Sequence, residues 1–291
     1  MKLIKPKQTL DRKHAYLVML FNETRKLSKS RFKQQTKSMI KSTKVYTPTE
    51  LTEFSKTLKL NILSETPIKL VMGGTVSTGY NSTLYPSNKR VAILNFANAF
   101  TPGGMVLKGS SAQEENICRC TNLYESLVSK NGKPYYTINS GMVDIGVNGE
   151  IYTDTLIYTP NVTVFRNDVN YSLITPSYVD VITCPAPCAA NMDYTTAITI
   201  YEKRIQKIVL AAIANNVDTL VLGAWGCGAF GQNPRLIAQA FATVLNTYHG
   251  CFKEIIFAIR PTYGGNAVDI TYNIFKEELS KGYFGGELIS E

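Results

Sequence analysis

Two adjacent acids in a glycine-rich setting are the residues best suited to chemistry. Glu114 and Glu115 follow Gln113, and Pro102-Gly103-Gly104 lies shortly before them. A carboxyl group can donate a proton to a leaving oxygen and later accept one from water, and glycoside cleavage needs both steps. Adjacent residues on a helix point about 100° apart, so the two acids are expected to have different roles. The alternative is that both are solvated acids in the first turn of a helix.

A second glycine-rich segment, GAWGCGAFG from Gly223 to Gly231, could hold an anionic ligand through its main-chain N–H groups. Its last six residues satisfy the GxGxxG pattern of dinucleotide-binding loops. Two features disfavour a dinucleotide site. Asn233-Pro234 delays the next helix, and no Asp or Glu that could bind a ribose occurs from Thr219 to Lys253.

Buried strands and amphipathic helices must position these two loops. The first loop follows a predicted strand over 91–98, and the acids open a predicted helix over 112–128 that Ser110 or Ser111 could cap. Asp193 is predicted to cap a long helix over 194–214. Further strands are predicted at 69–72, 155–158, 162–166, 179–183, 219–222 and 254–259, and further helices at 50–58 (capped by Thr49), 234–248 and 271–279.

This alternation predicts a three-layer α/β/α sandwich with a largely parallel sheet. Both glycine loops leave the carboxyl ends of predicted strands. Because ligands of such sheets bind at that edge, the two loops are expected to face one crevice and to present main-chain N–H groups to an anionic ligand there.

The segment from Val91 to Leu127, which contains the first glycine loop and the two acids, resembles the signature of the microbial type of poly(ADP-ribose) glycohydrolase, a family of the macrodomain superfamily. Asn95-Phe96-Ala97-Asn98 matches the family's turn, and Gly103-Gly104 matches two of its three glycines. Seven residues follow Met105 before Gln113-Glu114-Glu115 completes the pattern. Met105 itself departs from the pattern, because the family has its third glycine there.

The resemblance extends to other parts of the chain. The segment from Gly223 to Gly231 is similar to the family's phosphate loop, and the passages 158–160, 164–168 and 184–187 also match family passages. The fold that this implies is a macrodomain over residues 66–291, with a mixed, largely parallel sheet, preceded by a basic helical extension over residues 1–65.

The function implied by the resemblance is hydrolysis of ribosyl O-glycosidic bonds in poly(ADP-ribose), which releases ADP-ribose without a metal or cofactor. Glu115 would act as general acid and then as base, and Glu114 would position ribose hydroxyls. The ligand-binding residues implied are Asn98, Gly103, Gly104, Met105, Gln113, Phe165, Gly226, Cys227, Gly228, Ala229 and Phe230.

Two other functions stay open at this point. The protein could be a non-catalytic reader that binds ADP-ribose, or a hydrolase that removes mono-ADP-ribose from protein or nucleic acid. Met105 bears on this choice, because its side chain could point away from the ligand or crowd the distal ribose.

The net charge of +9 is concentrated in the N-terminal segment, since residues 1–60 contain 15 Lys or Arg and 4 Asp or Glu. Leu10, Leu17, Leu20, Phe21, Thr24 and Leu27 recur near one face of a predicted helix with basic residues opposite. The expected partners are ADP-ribose, poly(ADP-ribose) or ADP-ribosylated macromolecules, with nucleic-acid contact through this basic segment as a hypothesis. The alternative is a solvated helical face. A monomer is expected.

The cysteines and histidines of the chain indicate whether a zinc site is present and which redox compartment the protein occupies. The six cysteines contain no CxxC pair and the chain has 2 histidines, so a zinc site is poorly supported. Free thiols are typical of a reducing compartment, which favours a cytoplasmic or nuclear location. The sequence contains no apolar run of about 18 residues, so no membrane span is predicted.

Overall fold

The computed structural model of the chain describes residues 6–60, 65–84, 89–143, 151–189, 191–260 and 270–290. Within these residues, eight strands form one mixed sheet in the order β1-β4-β5-β3-β6-β7-β2-β8. The strands are β1 (Lys44–Tyr46), β2 (Ile68–Met72), β3 (Val91–Phe96), β4 (Leu156–Arg166), β5 (Leu173–Cys184), β6 (Thr219–Leu222), β7 (Glu254–Ile259) and β8 (Leu288–Ser290). The pairs β1–β4 and β4–β5 are antiparallel and the others are parallel.

Helices cover both faces of this sheet. They are α1 (Pro6–Lys29), α2 (Lys33–Ser42), α3 (Pro48–Thr57), α4 (Thr75–Ser82), α5 (Gln113–Cys120), α6 (Leu123–Leu127), α7 (Lys133–Val143), α8 (Tyr194–Ala214), α9 (Pro234–Thr247) and α10 (Ile270–Gly282), with a 3₁₀ turn at Val106–Lys108. Among the described residues, no helix is long and apolar enough to cross a membrane.

The central strand β3 shows why the fold has three layers. Its first five residues are buried, and successive side chains of a strand point to opposite faces of the sheet. Ala92 and Leu94 join the core cluster beneath α8, α9 and α10, whereas Val91 and Ile93 join the cluster beneath α1, α5 and α6. The predicted three-layer α/β/α sandwich with a mixed, largely parallel sheet is confirmed.

The N-terminal segment is built into the same sheet and core. Phe21 is 0% exposed in the second cluster, and β1 pairs with β4 at the sheet edge. The side chain of Leu10 lies outside the described residues. The boundary at residue 65 stays a prediction, but residues 6–60 share the core of the rest of the chain.

The helix after β1 is capped by Thr47, so the prediction of Thr49 was wrong. Thr47 Oγ1 accepts the N–H of Glu50 at 3.3 Å, and Glu50 Oε2 accepts the N–H of Thr47 at 2.8 Å. This reciprocal capping box places Pro48 at the first helical position, where its missing N–H costs nothing.

The predicted helix over 112–128 is two helices, because the residues between them pair with strand β4. Thr121 adopts an extended conformation and bridges to Val164, and Asn122 Oδ1 accepts the N–H of Thr163 at 2.8 Å. The N-cap of α5 is Ala112, which forms no side-chain cap. The prediction of a cap at Ser110 or Ser111 was therefore wrong.

Strand β4 is continuous through Pro160, where two separate strands were predicted. A bulge lies between Thr159 and Val162, and Asn161 within it has φ +54. The N–H of Asn161 donates to Asp180 Oδ1 at 2.8 Å. Because pairing with β1 ends at Tyr158, the missing N–H of Pro160 breaks no β1 contact. The short edge strands β1 and β8 were not predicted.

Candidate active site

Gln113 fastens the start of α5 to strand β3. Its Oε1 accepts the N–H of Phe96 at 2.9 Å, and its Nε2 donates to the carbonyl of Leu94 at 2.8 Å. One side-chain amide thus pairs with two backbone groups of the strand, as a neighbouring strand would. Nε2 also donates to Thr75 Oγ1 at 3.2 Å. Gln113 also lines the cavity described below, and its main effect is to fix the two acids that follow it.

Both carboxylate oxygens of Glu114 are occupied by protein donors. Oε1 accepts from Asn95 Nδ2 at 3.3 Å, and Oε2 accepts the N–H of Asn98 at 2.7 Å. Burial raises the pKa of Glu114 to about 8, and the bond from Asn98 and that from Asn95 oppose this rise. Glu114 is therefore a buried, fixed group that is largely protonated at neutral pH.

Glu115 has a different environment. It is 5% exposed, and its Oε1 accepts the N–H of Met105 at 2.9 Å. No described residue donates to its second oxygen, Oε2. Of the two acids, Glu115 is thus the one with an oxygen left for a ligand.

The two glycines of the first loop are required by both conformation and space. Gly103 has φ +69 and Gly104 has φ +59, in the left-handed region that favours glycine. A Cβ on Gly104 would lie 2.6 Å from Glu115 Oε1 and 3.1 Å from Glu114 Oε2. The loop therefore packs its backbone directly on the two acids.

Met105 does not need to be glycine in this chain. Its φ is −99, which any residue adopts, and its side chain is 42% exposed. Its main-chain N–H still reaches Glu115. The departure from the triple glycine therefore leaves the conformation of the loop intact.

The main-chain N–H groups of the first loop donate to the two acids. This differs from the expectation that both loops present N–H groups to an anionic ligand. The N–H groups of Asn98 and Met105 both donate to carboxylates. Asn98 Oδ1 accepts the N–H groups of Phe100 and Thr101, each at 2.8 Å, so it stabilises the turn. A ribose contact from Asn98 stays a prediction.

The second loop is anchored by Trp225, which is fully buried and donates from Nε1 to the carbonyl of Cys184 at 3.3 Å. Its ring makes an edge contact with Tyr201. Gly226 has φ +85, and a Cβ there would lie 2.6 Å from the Tyr201 hydroxyl. Since Tyr201 is itself held by the carbonyl of Pro187 at 2.6 Å, the loop has a rigid base.

The exposed part of this loop presents free donors. The N–H groups of Gly228, Ala229 and Phe230 have no acceptor among the residues that the structure describes. Burial raises the pKa of the neighbouring Cys227 to about 12, so its thiol is neutral. An array of uncompensated N–H groups beside a neutral side chain suits a diphosphate.

A cavity of about 390 Å³ lies between this loop and the start of α5. Both glycine loops were expected to face one crevice. The second loop and the start of α5 line this cavity, whereas no residue of the first loop does. Glu114 and Glu115 are not among the lining residues, but Gln113 and Asn116, which flank them in α5, are, so the acids lie at its margin. Gly104 packs on both carboxyl groups. The cavity is lined by residues 73–76, Phe96, 111–113, 116–117, Ala186, Ala224, 226–230, 258–260 and Thr271.

Phe165 does not belong to this site, and its predicted ligand contact was wrong. It is 1% exposed and stacks on Phe32 with ring centroids 4.7 Å apart. The alternation of β4 turns this side chain into the core. The adjacent Arg166 is buried as well and donates to the carbonyl of Tyr171 at 2.8 Å.

The sequence reasoning missed two groups near the cavity. Asn95 was placed in the turn motif without a role, yet its side chain holds Glu114. Arg260 lines the cavity and pairs with the buried Asp168 at 3.3 Å. Its position directly after β7 was a usable signal, because ligands bind at the carboxyl ends of parallel strands.

None of the six cysteines forms a disulfide bond. Among the described residues, no group of three or more His, Cys, Asp or Glu side chains is arranged to hold a metal ion.

Comparison with known proteins decides the family. The family model "Microbial-type PARG, catalytic domain" matches residues 16–167, which is just over half of the chain. The chain belongs to this family. The match begins within α1, so the family includes most of the N-terminal segment and the acids of α5. A search of curated protein sequences found no significant match.

Solved structures of family members agree with the fold. Poly(ADP-ribose) glycohydrolase from Thermomonospora curvata is 28% identical, with a TM-score of 0.81 and coverage of 91% of this chain and 99% of that chain. The same enzyme bound to the inhibitor ADP-HPD is 27% identical, with a TM-score of 0.79 and coverage of 90% and 99%. The enzyme from Deinococcus radiodurans in complex with ADP-ribose is 30% identical, with a TM-score of 0.73 and coverage of 84% and 97%.

Proposed function

We propose that this protein is a poly(ADP-ribose) glycohydrolase that hydrolyses ribosyl O-glycosidic bonds and releases ADP-ribose. Membership of the family supports the reaction class. The observation that carries the assignment of roles is the unequal state of the two acids. Glu114 has both oxygens bound by the protein, whereas Glu115 has one oxygen fixed by Met105 and the other without a donor among the described residues.

Binding of ADP-ribose uses the cavity and the second loop. The adenosine lies in the cavity, and the diphosphate accepts from the free N–H groups of Gly228 and Ala229. The start of α5 also faces the cavity, which Ala112 and Gln113 line. Its first-turn N–H groups have no side-chain cap, so they can donate to the same anion. The distal ribose then reaches beyond Phe230 to the acids at the margin.

Cleavage proceeds by acid and base catalysis at Glu115. Its free oxygen donates a proton to the leaving oxygen as the bond from that oxygen to ribose C1″ breaks. Positive charge develops on C1″ and the ring oxygen, next to the carboxylate that remains. A water molecule then adds to C1″ and returns its proton to Glu115.

Glu114 positions the sugar in this scheme. Its raised pKa keeps a proton on the buried carboxyl at neutral pH, so that it can donate to a ribose hydroxyl. A neutral neighbour also avoids like-charge repulsion with the carboxylate of Glu115. No step of the proposal uses a metal, so a chelator is expected to leave the rate unchanged.

The test is release of ADP-ribose from automodified polymer. Wild-type protein should release ADP-ribose, and Glu115→Gln should lower the rate by a factor of about 10² to 10⁴, the usual contribution of a general acid or base. Calorimetry should show that the variant still binds ADP-ribose. Unchanged turnover in Glu115→Gln would remove this residue from the proposed role, and binding without any release by the wild type would indicate a reader.

A further inference from the structure

Three aromatic rings form a row between the two glycine loops. Phe100 of the first loop makes an edge contact with Tyr152, with centroids 5.3 Å apart. Tyr152 contacts Phe230 of the second loop at 6.3 Å. The row therefore runs from the phosphate loop to the loop whose amides hold the acids. Of the three rings, Phe230 lines the cavity and the other two do not.

The middle ring of the row is held in place at a conformational cost. Tyr152 has φ +59, which is unfavourable for a non-glycine residue. Such outliers persist where the surrounding structure fixes them, and they cluster at functional sites.

The fixing group is Arg204, which is 1% exposed. Its Nη2 donates to the carbonyls of Ile151 and Tyr152 at 2.8 and 3.1 Å, and its Nε pairs with Asp154 at 2.8 Å. Nη1 donates to the carbonyl of Pro185 at 3.0 Å, at the end of β5. A buried guanidinium thus ties the segment 151–154 to the sheet.

The row begins on the loop next to the proposed acid. Phe100 belongs to the same loop as Met105, whose N–H holds Glu115. A group attached to ribose C1″ at Glu115 would therefore have Phe100 and Tyr152 as its nearest aromatic neighbours on this loop. Phe100 is 39% exposed and is available there.

We propose that Phe100 and Tyr152, at the end of the row away from Phe230, form a stacking subsite for a planar nucleobase carried by the leaving group. In poly(ADP-ribose) this base is the adenine of the preceding unit. Aromatic side chains stack on nucleobases whatever the base, because every base has a π face. This inference rests on the proposed function, since it uses Glu115 to define the position of the scissile bond.

Affinity for a dimer separates this subsite from the cavity. In the Glu115→Gln background, which prevents cleavage, calorimetry compares ADP-ribose with the dimer of ADP-ribose. The dimer should bind about 5- to 150-fold more tightly, the range expected for one stacked base. Adding Phe100→Ala should abolish this advantage and leave the Kd for ADP-ribose within about twofold. Adding Phe100→Tyr instead should preserve it.

The controls separate stacking from structural damage. Phe284→Ala removes a ring that is 81% exposed elsewhere and should leave both affinities unchanged. A dimer advantage that survives Phe100→Ala overturns the stacking subsite, as does an equal loss of affinity for both ligands. Failure of ADP-ribose itself to bind would instead overturn the proposed function.

Discussion

The main-chain N–H of Met105 donates a hydrogen bond to Oε1 of Glu115 at 2.9 Å. The position that departs from the family's glycine pattern is therefore the position that orients the proposed acid. The bond uses only the backbone, and the backbone angle of Met105 suits any residue. This explains how the chain can carry a methionine there and keep the site.

Restoring the third glycine should change little. Met105→Gly is expected to keep turnover within about threefold and to lower the free energy of unfolding by about 0.5–1 kcal/mol, because glycine has more freedom in the unfolded chain. Met105→Pro should be far more damaging, since proline removes the N–H that holds Glu115. Turnover and urea denaturation measure both effects. If Met105→Pro kept full activity, the orienting role of this N–H would be wrong.

A methyl group on Gly104 should disrupt the acids. Gly104→Ala places a Cβ 2.6 Å from Glu115 Oε1 on a residue with φ +59. The backbone of residue 104 is therefore strained, and the carboxyl group of Glu115 is displaced. The expected cost is at least about 1–2 kcal/mol of stability, with loss of turnover. Gly141→Ala is the matched control, because its Cβ meets nothing within 4 Å on helix α7, and it should stabilise by up to about 1 kcal/mol. Equal behaviour of the two variants would contradict this account.

The buried carboxyl of Glu114 should make stability depend on pH. Its pKa is raised in the folded state to about 8 from an ordinary value of 4.5, so the folded protein binds this proton more tightly than the unfolded chain does. The stabilisation of the folded protein by this bound proton is fully present below pH 4.5 and is lost as the pH rises through about 8.

The measurement is the difference in unfolding free energy between wild type and Glu114→Gln from about pH 5 to about pH 9. This difference should shift against the wild type by up to about 1.4 kcal/mol per pH unit below about pH 8. Glu53→Gln, which changes an exposed acid, should show no such trend. A difference that is constant with pH would show that Glu114 is not protonated in the folded protein.

The basic N-terminal segment should strengthen binding of polyanions. Deleting it is unsuitable as a test, because Phe21 and Met39 are core residues. Changing the exposed Lys13, Lys26, Lys33 and Lys37 to Gln leaves the core intact. The affinity for long poly(ADP-ribose) should fall, and the slope of log K against log salt should become shallower by about 0.7 for each phosphate that these lysines no longer neutralise.

Binding of free ADP-ribose by this fourfold variant serves as the control, since the cavity is untouched, and it should stay as in the wild type. An unchanged salt slope with polymer would indicate that these lysines only solvate the helices. The same titration with single-stranded DNA tests the hypothesis of nucleic-acid contact.

Local patterns determined much of this protein. The apolar runs of β3, β6 and β7, the cap at Asp193 and the proline start of α9 follow from neighbours in the chain, and the structure has all of them. The glycines and acids at fixed spacing likewise placed the two loops at one edge of the sheet, because parallel strands share that edge.

Tertiary structure decided what depends on distant contacts. The break between α5 and α6 arises because β4 captures Thr121, and Phe165 turns inward to stack on Phe32, a residue far away in the chain. The unequal environments of Glu114 and Glu115 also come from packing, since one is enclosed by Asn95 and Asn98 and the other is held by a single N–H. Spacing along a chain fixes which residues are near a site, whereas burial and donor geometry, which set charge and reactivity, exist only once remote segments have packed together.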